Sequence, residues 1–304
     1  MTGERIAVID LGSNTFHLLI CEVGENGEWT EIHKEREYVK LASGGIQIIY
    51  ADAEQRAIDA MLRFANLIKL HQVNEVRAIG TAAMREANNA EELSNKLLEI
   101  TGIRVEIIDG HQEARYILKG TQSALPELDE HALIMDIGGG SVEFILFREK
   151  EALFTGSFKI GVAILFDRFH KDDPISEEEI LKVETYLDAQ LSQMIDTLSK
   201  IENYYLIGAS GSFEVLLEAL PVMASGPHWA ELNIEGLMDN LNKVIRASLA
   251  ERRAMPEIPD ERLDYIVVAY LLIRYLFKKS PPQKLFYCDF ALKEGVIADL
   301  IENI

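Results

Sequence analysis

The chain has 304 residues, 48% of them hydrophobic and 26% charged, and its 30 Lys and Arg against 50 Asp and Glu give a formal net charge of −20. That length suits two domains of ordinary size, and that composition suits a soluble globular protein. So acidic a chain offers no basic face to neutralise a phosphate backbone, which argues against nucleic acid as a partner. Any polyanionic ligand must therefore be held by local amides, a few basic residues and a metal. The N-terminus runs straight into a strand without a basic-then-apolar leader, so secretion is not expected. Cys21 and Cys288 are the only cysteines, and their apolar, strand-like contexts read as reduced structural thiols of a cytoplasmic protein.

Residues 5–21 read as a hairpin around the turn that follows Asp10, with Gly12, Ser13 and Asn14. A third strand follows over 29–39, then the loop Lys40–Gly45 and an amphipathic helix from Asp52 whose apolar stripe is Ile58, Met61, Leu62, Ala65, Ile68 and Leu70. After a short strand over 75–79, Gly80 and Thr81 open a helix. Thr81 fits an N-cap or a ligand, and Arg85, one turn in, fits an anion contact or a solvated surface arginine. A helix over 91–100 and a strand over 104–108 precede a further helix from His111 to about Ala124. Glu113 stands in its first turn, where the helix dipole favours a carboxylate and where a general base facing a phosphate would also stand. His111 reads as a turn residue, because no second His or Cys stands at metal spacing.

Leu125-Pro126 and the acidic residues after it mark a boundary, giving lobes over 1–124 and 125–304, with the final helix over 290–304 a candidate to pack back on the first lobe. The second lobe opens with the densest stretch of the chain, Met135-Asp136-Ile-Gly138-Gly139-Gly140-Ser141-Val-Glu143. An apolar strand delivers Asp136 to a turn whose three glycines permit positive φ and close approach to a ligand, and successive amides there form an anion nest. Asp136 and Glu143 flank the turn, near enough to hold a divalent ion against a phosphate; an ordinary glycine-rich hairpin is the plainer alternative. The stretch from Ile6 to Asn14 aligns with that from Leu133 to Gly140, Asp10 over Asp136 and Gly12 over Gly138. Two copies imply a duplicated domain with a phosphate between the halves.

A third strand over 152–158 and helices follow, one opened by the capping box of Ser176 and Glu179 and running to about Ile201. Gly208, Ser210 and Gly211 form a strand-to-helix turn that offers a second anion contact. Helices over 231–250 and 260–278, a last strand over 284–287 and a final helix from Phe290 complete the chain. The uncharged run 265–273 is too short to span a bilayer and reads as a core helix. P-loop, dinucleotide-binding, His-Glu-x-x-His, Cys-x-x-Cys and Gly-x-Ser-x-Gly patterns are all absent.

Asp10 to Asn14, Gly80 to Arg85, Gly110 to Arg115, Asp136 to Glu143, Gly208 to Ser212 and Leu292 to Gly295 together make the chain resemble the exopolyphosphatase/guanosine pentaphosphate phosphohydrolase family. The resemblance implies the duplicated actin-like ATPase fold, an α/β fold of two ribonuclease-H-like lobes with the active site in the cleft between them. It implies hydrolysis of a terminal phosphoanhydride with Mg²⁺ or Mn²⁺. By motif, Glu113 takes the place of the catalytic base, and Asp10, Asp136 and Glu143 those of the metal carboxylates. Gly12, Ser13, Asn14, Thr81, Arg85, Gly138, Gly139, Gly140, Ser141, Gly208, Ser210 and Gly211 fall at substrate-binding positions. A homodimer is the implied assembly. The sequence departs from the family at Ile164 and Lys40, where arginines are common. It does not include the C-terminal helical domain of the long members, so short polyphosphate or a nucleotide is the expected substrate. Exopolyphosphatase activity leads, the same chemistry on guanosine pentaphosphate is the alternative, and a non-catalytic sensor of polyphosphate or an alarmone is the reading from another class.

Overall fold

The computed structural model describes residues 3–209 and 211–302. The chain divides into two compact units, Met1–Gly120 with Leu292–Ile304, and Thr121–Ala291.

The first unit begins with strands β1 (Glu4–Leu11), β2 (Phe16–Val23) and β3 (Trp29–Glu37), followed by α1 (Ala51–Leu70), β4 (Glu75–Gly80), the short α2 (Ala82–Glu86), α3 (Ala90–Thr101), β5 (Val105–Ile107) and α4 (Gly110–Ala124), which continues into the second unit. Its sheet has the order β3-β2-β1-β4-β5, with β1 antiparallel to β2 and parallel to β4. Ile6, Ala7, Val8 and Ile9 of β1 are fully buried. Such an unbroken apolar run marks a central strand covered on both faces, where an edge strand would alternate. The buried stripe of α1 is Ala53, Ala57, Ile58, Ala60, Met61 and Phe64. Leu62 and Leu70, expected on that stripe, are 38% and 72% exposed. Small alanines let the helix lie close to the sheet, and an apolar-residue count passes over them.

The second unit holds β6 (His131–Ile137), β7 (Val142–Arg148), β8 (Glu151–Phe158), α5 (Val162–Phe169), α6 (Glu177–Leu198), β9 (Tyr204–Ala209), α7 (Gly211–Ala219), β10 (Val222–Ser225), β11 (Trp229–Leu232), α8 (Leu237–Arg246), α9 (Leu249–Arg253), α10 (Ile266–Lys279) and β12 (Lys284–Cys288). Its sheet order is β10-β11-β12-β9-β6-β7-β8. Read from β8, the first five strands repeat the order, and the parallel and antiparallel pairings, of the first unit. The duplication expected from two glycine turns is thus a duplication of sheet topology. Both units are α/β, each a mixed sheet with helices, as the resemblance implies. The capping box of Ser176 and Glu179 forms as expected, and every residue from Ile266 to Leu276 of α10 is buried.

Three expectations are corrected. The helix expected over 231–250 begins only at Leu237, because Trp229–Leu232 pairs as a strand with β12 and with β10. The helix expected from Asp260 is a 3₁₀ turn over Asp260–Arg262 followed by α10. The last helix, α11 (Leu292–Glu302), begins two residues after Phe290. It belongs to the first unit, where it packs on β1 and where Lys119 of α4 donates to Asp299 (3.0 Å) and Glu302 (2.7 Å). Cys21 and Cys288 are buried and not joined, and burial pushes the Cys21 thiol up to about 12. Among the described residues no helix is long and apolar enough to cross a membrane.

Candidate active site

Each unit builds the same hairpin around its turn. In the first, Asp10 pairs with His17 and Leu11 with Phe16; in the second, Asp136 pairs with Glu143 and Ile137 with Val142. Four residues therefore connect the strands in both, 12–15 and 138–141. A Cβ on Gly12 would lie 2.7 Å from the Thr15 carbonyl oxygen, and one on Gly138 would lie 2.9 Å from that of Ser141. Neither Gly12 nor Gly138 uses the positive φ that glycine permits; glycine is required at both by the close return of the chain.

The carbonyls of both turns are tied to a neighbouring segment. Lys40 N donates to Asn14 O (2.8 Å) and Ala42 N to Ser13 O (3.0 Å). In the second unit Val162 N donates to Gly138 O (3.0 Å), Ala163 N to Gly139 O (2.9 Å) and Gly161 N to Gly140 O (3.3 Å). Gly138 N is engaged within its own turn, donating to Ser141 O (2.9 Å), so an anion nest there would rest on the amides of the residues after it. Gly161 was not singled out from sequence, yet it makes this approach possible: a Cβ there would sit 2.4 Å from the carbonyl carbon and oxygen of Gly139. Asn14 Oδ1 is buried without a hydrogen-bond partner, an acceptor at the first turn that a ligand can satisfy.

Residues directly opposite on antiparallel strands share a face, with Cβ atoms about 4.5–5.5 Å apart. Asp136 and Glu143 are such a pair, and Ser157, opposite Glu143 on β8, donates to Glu143 Oε1 at 2.7 Å. In the first unit the corresponding row is Asp10, His17 and Arg36. His17 and Arg36 were not expected at the site; the signal was available in the duplication, since His17 aligns with Glu143. Among the described residues no three His, Cys, Asp or Glu side chains gather at metal-binding distance. Asp136 and Glu143 supply hard oxygen donors at one spot, which fits Mg²⁺, an ion held by one or two carboxylates plus phosphate oxygens and water.

The side-chain cap of α2 comes from Ser13 and not from Thr81. Thr81 occupies the N-cap position of α2 but makes no side-chain cap bond. The cap comes from across the sheet, where buried Ser13 Oγ accepts from Ala83 N at 3.1 Å. Arg85, at the end of that helix, donates through Nη1 to Ile108 O and to Glu113 Oε2, both at 2.9 Å. Glu113 is 6% exposed, and its helix start is capped by Asp109 Oδ1, which accepts from Gln112 N at 2.8 Å. The Gln112 amide holds the Asp109 carboxyl below its usual range. Thus Arg85 is neither a solvated arginine nor a lone anion contact; it grips the candidate base.

The turn after β9 is less persuasive as a phosphate contact. The place of a Gly208 side chain is filled by the Phe213 ring, 2.0 Å from a notional Cβ, so that glycine has a packing cause. At Gly211 the same space holds the Arg262 guanidinium, which donates to Glu214 at 2.9 Å. Ser210 lies outside the described residues.

Each copy of the sheet thus carries a carboxylate and a glycine turn at the same place, and the first adds a buried Glu held by an arginine. The chain is 33% identical to the crystal structure of an exopolyphosphatase from Cytophaga hutchinsonii, with a TM-score of 0.92 over 99% of both chains. It is 25% identical to exopolyphosphatase 1 of Mycobacterium leprae over 98% of this chain and 90% of the relative. It is 30% identical to a guanosine-5'-triphosphate,3'-diphosphate pyrophosphatase of Photobacterium profundum over 98% of this chain, which spans 59% of that longer relative. The sequence pattern of the Ppx/GppA phosphatase family matches residues 19–304, and the chain belongs to that family of hydrolases.

Proposed function

We propose that the protein is an exopolyphosphatase that hydrolyses the terminal phosphoanhydride of inorganic polyphosphate and releases orthophosphate. The observation that carries the reading is Glu113, a nearly buried carboxylate fixed by Arg85 in the unit that also presents the Gly12–Asn14 turn. Its role is to orient a water on the terminal phosphorus and take its proton. In the first unit the Gly12–Asn14 turn, with Thr81 and Arg85, binds phosphoryl oxygens. Positioning and charge stabilisation of this kind supply most of the rate of phosphoryl transfer. Mg²⁺ would be held by Asp136 and Glu143, with Asp10 in the equivalent place of its own unit, and would offset charge on the phosphates.

The same chemistry on guanosine pentaphosphate is the second reading, favoured by the relative from Photobacterium profundum. Orthophosphate release with Mg²⁺ from short polyphosphate, long polyphosphate and guanosine pentaphosphate, with Glu113→Gln in parallel, tests both. Release that vanishes in the variant is expected, and the preferred substrate chooses between the readings. Tight binding of any of the three without release would overturn hydrolysis and leave a sensor.

A further inference from the structure

Among the described residues, Lys40 is one of three non-glycine residues with positive φ, at 49°. The left-handed region is strained for an L-residue and persists only where neighbours over-determine it. Here the neighbour is Arg56 of α1. Its Nε donates to Val39 O (2.7 Å), and its Nη2 to Lys40 O (3.4 Å) and Ser43 Oγ (3.2 Å). The carbonyls of residues 39 and 40 belong to the two peptide groups on either side of the left-handed Cα, so one guanidinium sets both. Asp52, one helical turn earlier, accepts from Nη1 at 2.7 Å, but this pair is exposed to solvent and adds little to the hold of the two carbonyls and the hydroxyl. The segment so held gives the Lys40 and Ala42 amides to Asn14 O and Ser13 O.

We propose that Arg56 is a positioning residue for phosphate binding: through the left-handed Lys40 it holds the carbonyls of the Gly12–Asn14 turn and so aims that turn's amides at the ligand. The proposal rests on the reading of that turn as a phosphate cradle. A lysine cannot replace Arg56, because one ammonium lacks the planar fork that reaches two carbonyls and a hydroxyl together.

The test compares Arg56→Lys, Asp52→Asn and Arg63→Gln, the last an exposed arginine of the same helix. For orthophosphate release from polyphosphate, Arg56→Lys is expected to lower kcat/KM about 10- to 100-fold, mainly through KM, while the other two stay within about 2-fold. Adding Lys40→Gly to Arg56→Lys is expected to recover most of the loss, since glycine adopts positive φ without strain. Hydrogen exchange supplies a readout that needs no turnover: the Lys40 and Ala42 amides exchange faster in Arg56→Lys, and the β1 amides do not. Unchanged KM, an equal loss in Asp52→Asn, or no rescue by Lys40→Gly would overturn the proposal. If the parent protein releases no orthophosphate, the functional reading fails, and the exchange experiment alone decides whether Arg56 holds the turn.

Discussion

Replacing Arg85 by methionine keeps much of its length and removes its charge. Glu113 then keeps a buried carboxylate without its guanidinium, and Ile108 O loses a donor. Breaking a buried ion pair from one side typically costs about 3–5 kcal/mol. A fifth of the Arg85 side chain meets solvent against 8% for Glu113, which places the expected loss near the lower end, about 3 kcal/mol. With a urea slope of about 2 kcal/mol/M, the midpoint should fall by about 1.5 M. Glu113→Gln in the Arg85→Met background removes the stranded charge and should recover about half of the loss. The chain has two tryptophans, Trp29 in the first unit and Trp229 in the second, so Trp229→Phe leaves a fluorescence reporter in the unit that contains the pair. A midpoint shift below about 0.5 M for Arg85→Met, or a double variant weaker than the single one, would refute the coupling.

Two further outcomes follow from the geometry. Gly161→Ala drives a Cβ into the backbone of Gly139, so it should lower kcat/KM for orthophosphate release by at least about 10-fold. Circular dichroism unchanged from the parent would show that the loss is local; full activity would refute the tie between the turn and the start of α5. His170 is buried, and its pKa is held below 6.5 first by that burial and then by Arg252, against Glu179, Asp173 and Asp264. It stays neutral in the folded chain while the unfolded chain takes up a proton near 6.5. Its contribution to stability is therefore complete above that pH and declines as the pH falls below it. Urea midpoints between pH 7 and 5 should fall less steeply in His170→Gln than in the parent, and equal slopes would refute the assignment.

Much of this was legible in the sequence, and the exceptions have physical causes. The turns were visible because Asp-x-Gly followed an apolar strand twice, and the strands because central strands are apolar throughout. The β10–β11 hairpin was hidden because its strands have only four residues each, although Asn233 and Gly236 separate Trp229–Leu232 from α8. Thr81 misled because a capping preference is local, whereas the cap on α2 comes from Ser13, some seventy positions earlier. The grip of Arg85 on Glu113 and of Arg56 on Val39 joins residues that only the sheet order brings together. The need for Gly161 arises from a backbone approach that no periodicity records.

The first unit is interrupted in sequence by the whole of the second, and its last helix is also the last helix of the chain. During synthesis the second unit is complete as soon as Ala291 has emerged, while the unit that carries Glu113 still lacks the helix that packs on β1. The candidate base and its turn thus reach their finished support last, after the Asp136 turn has a folded home. A ribosome-bound chain released short of Leu292 should hold the second unit native and the first unfinished.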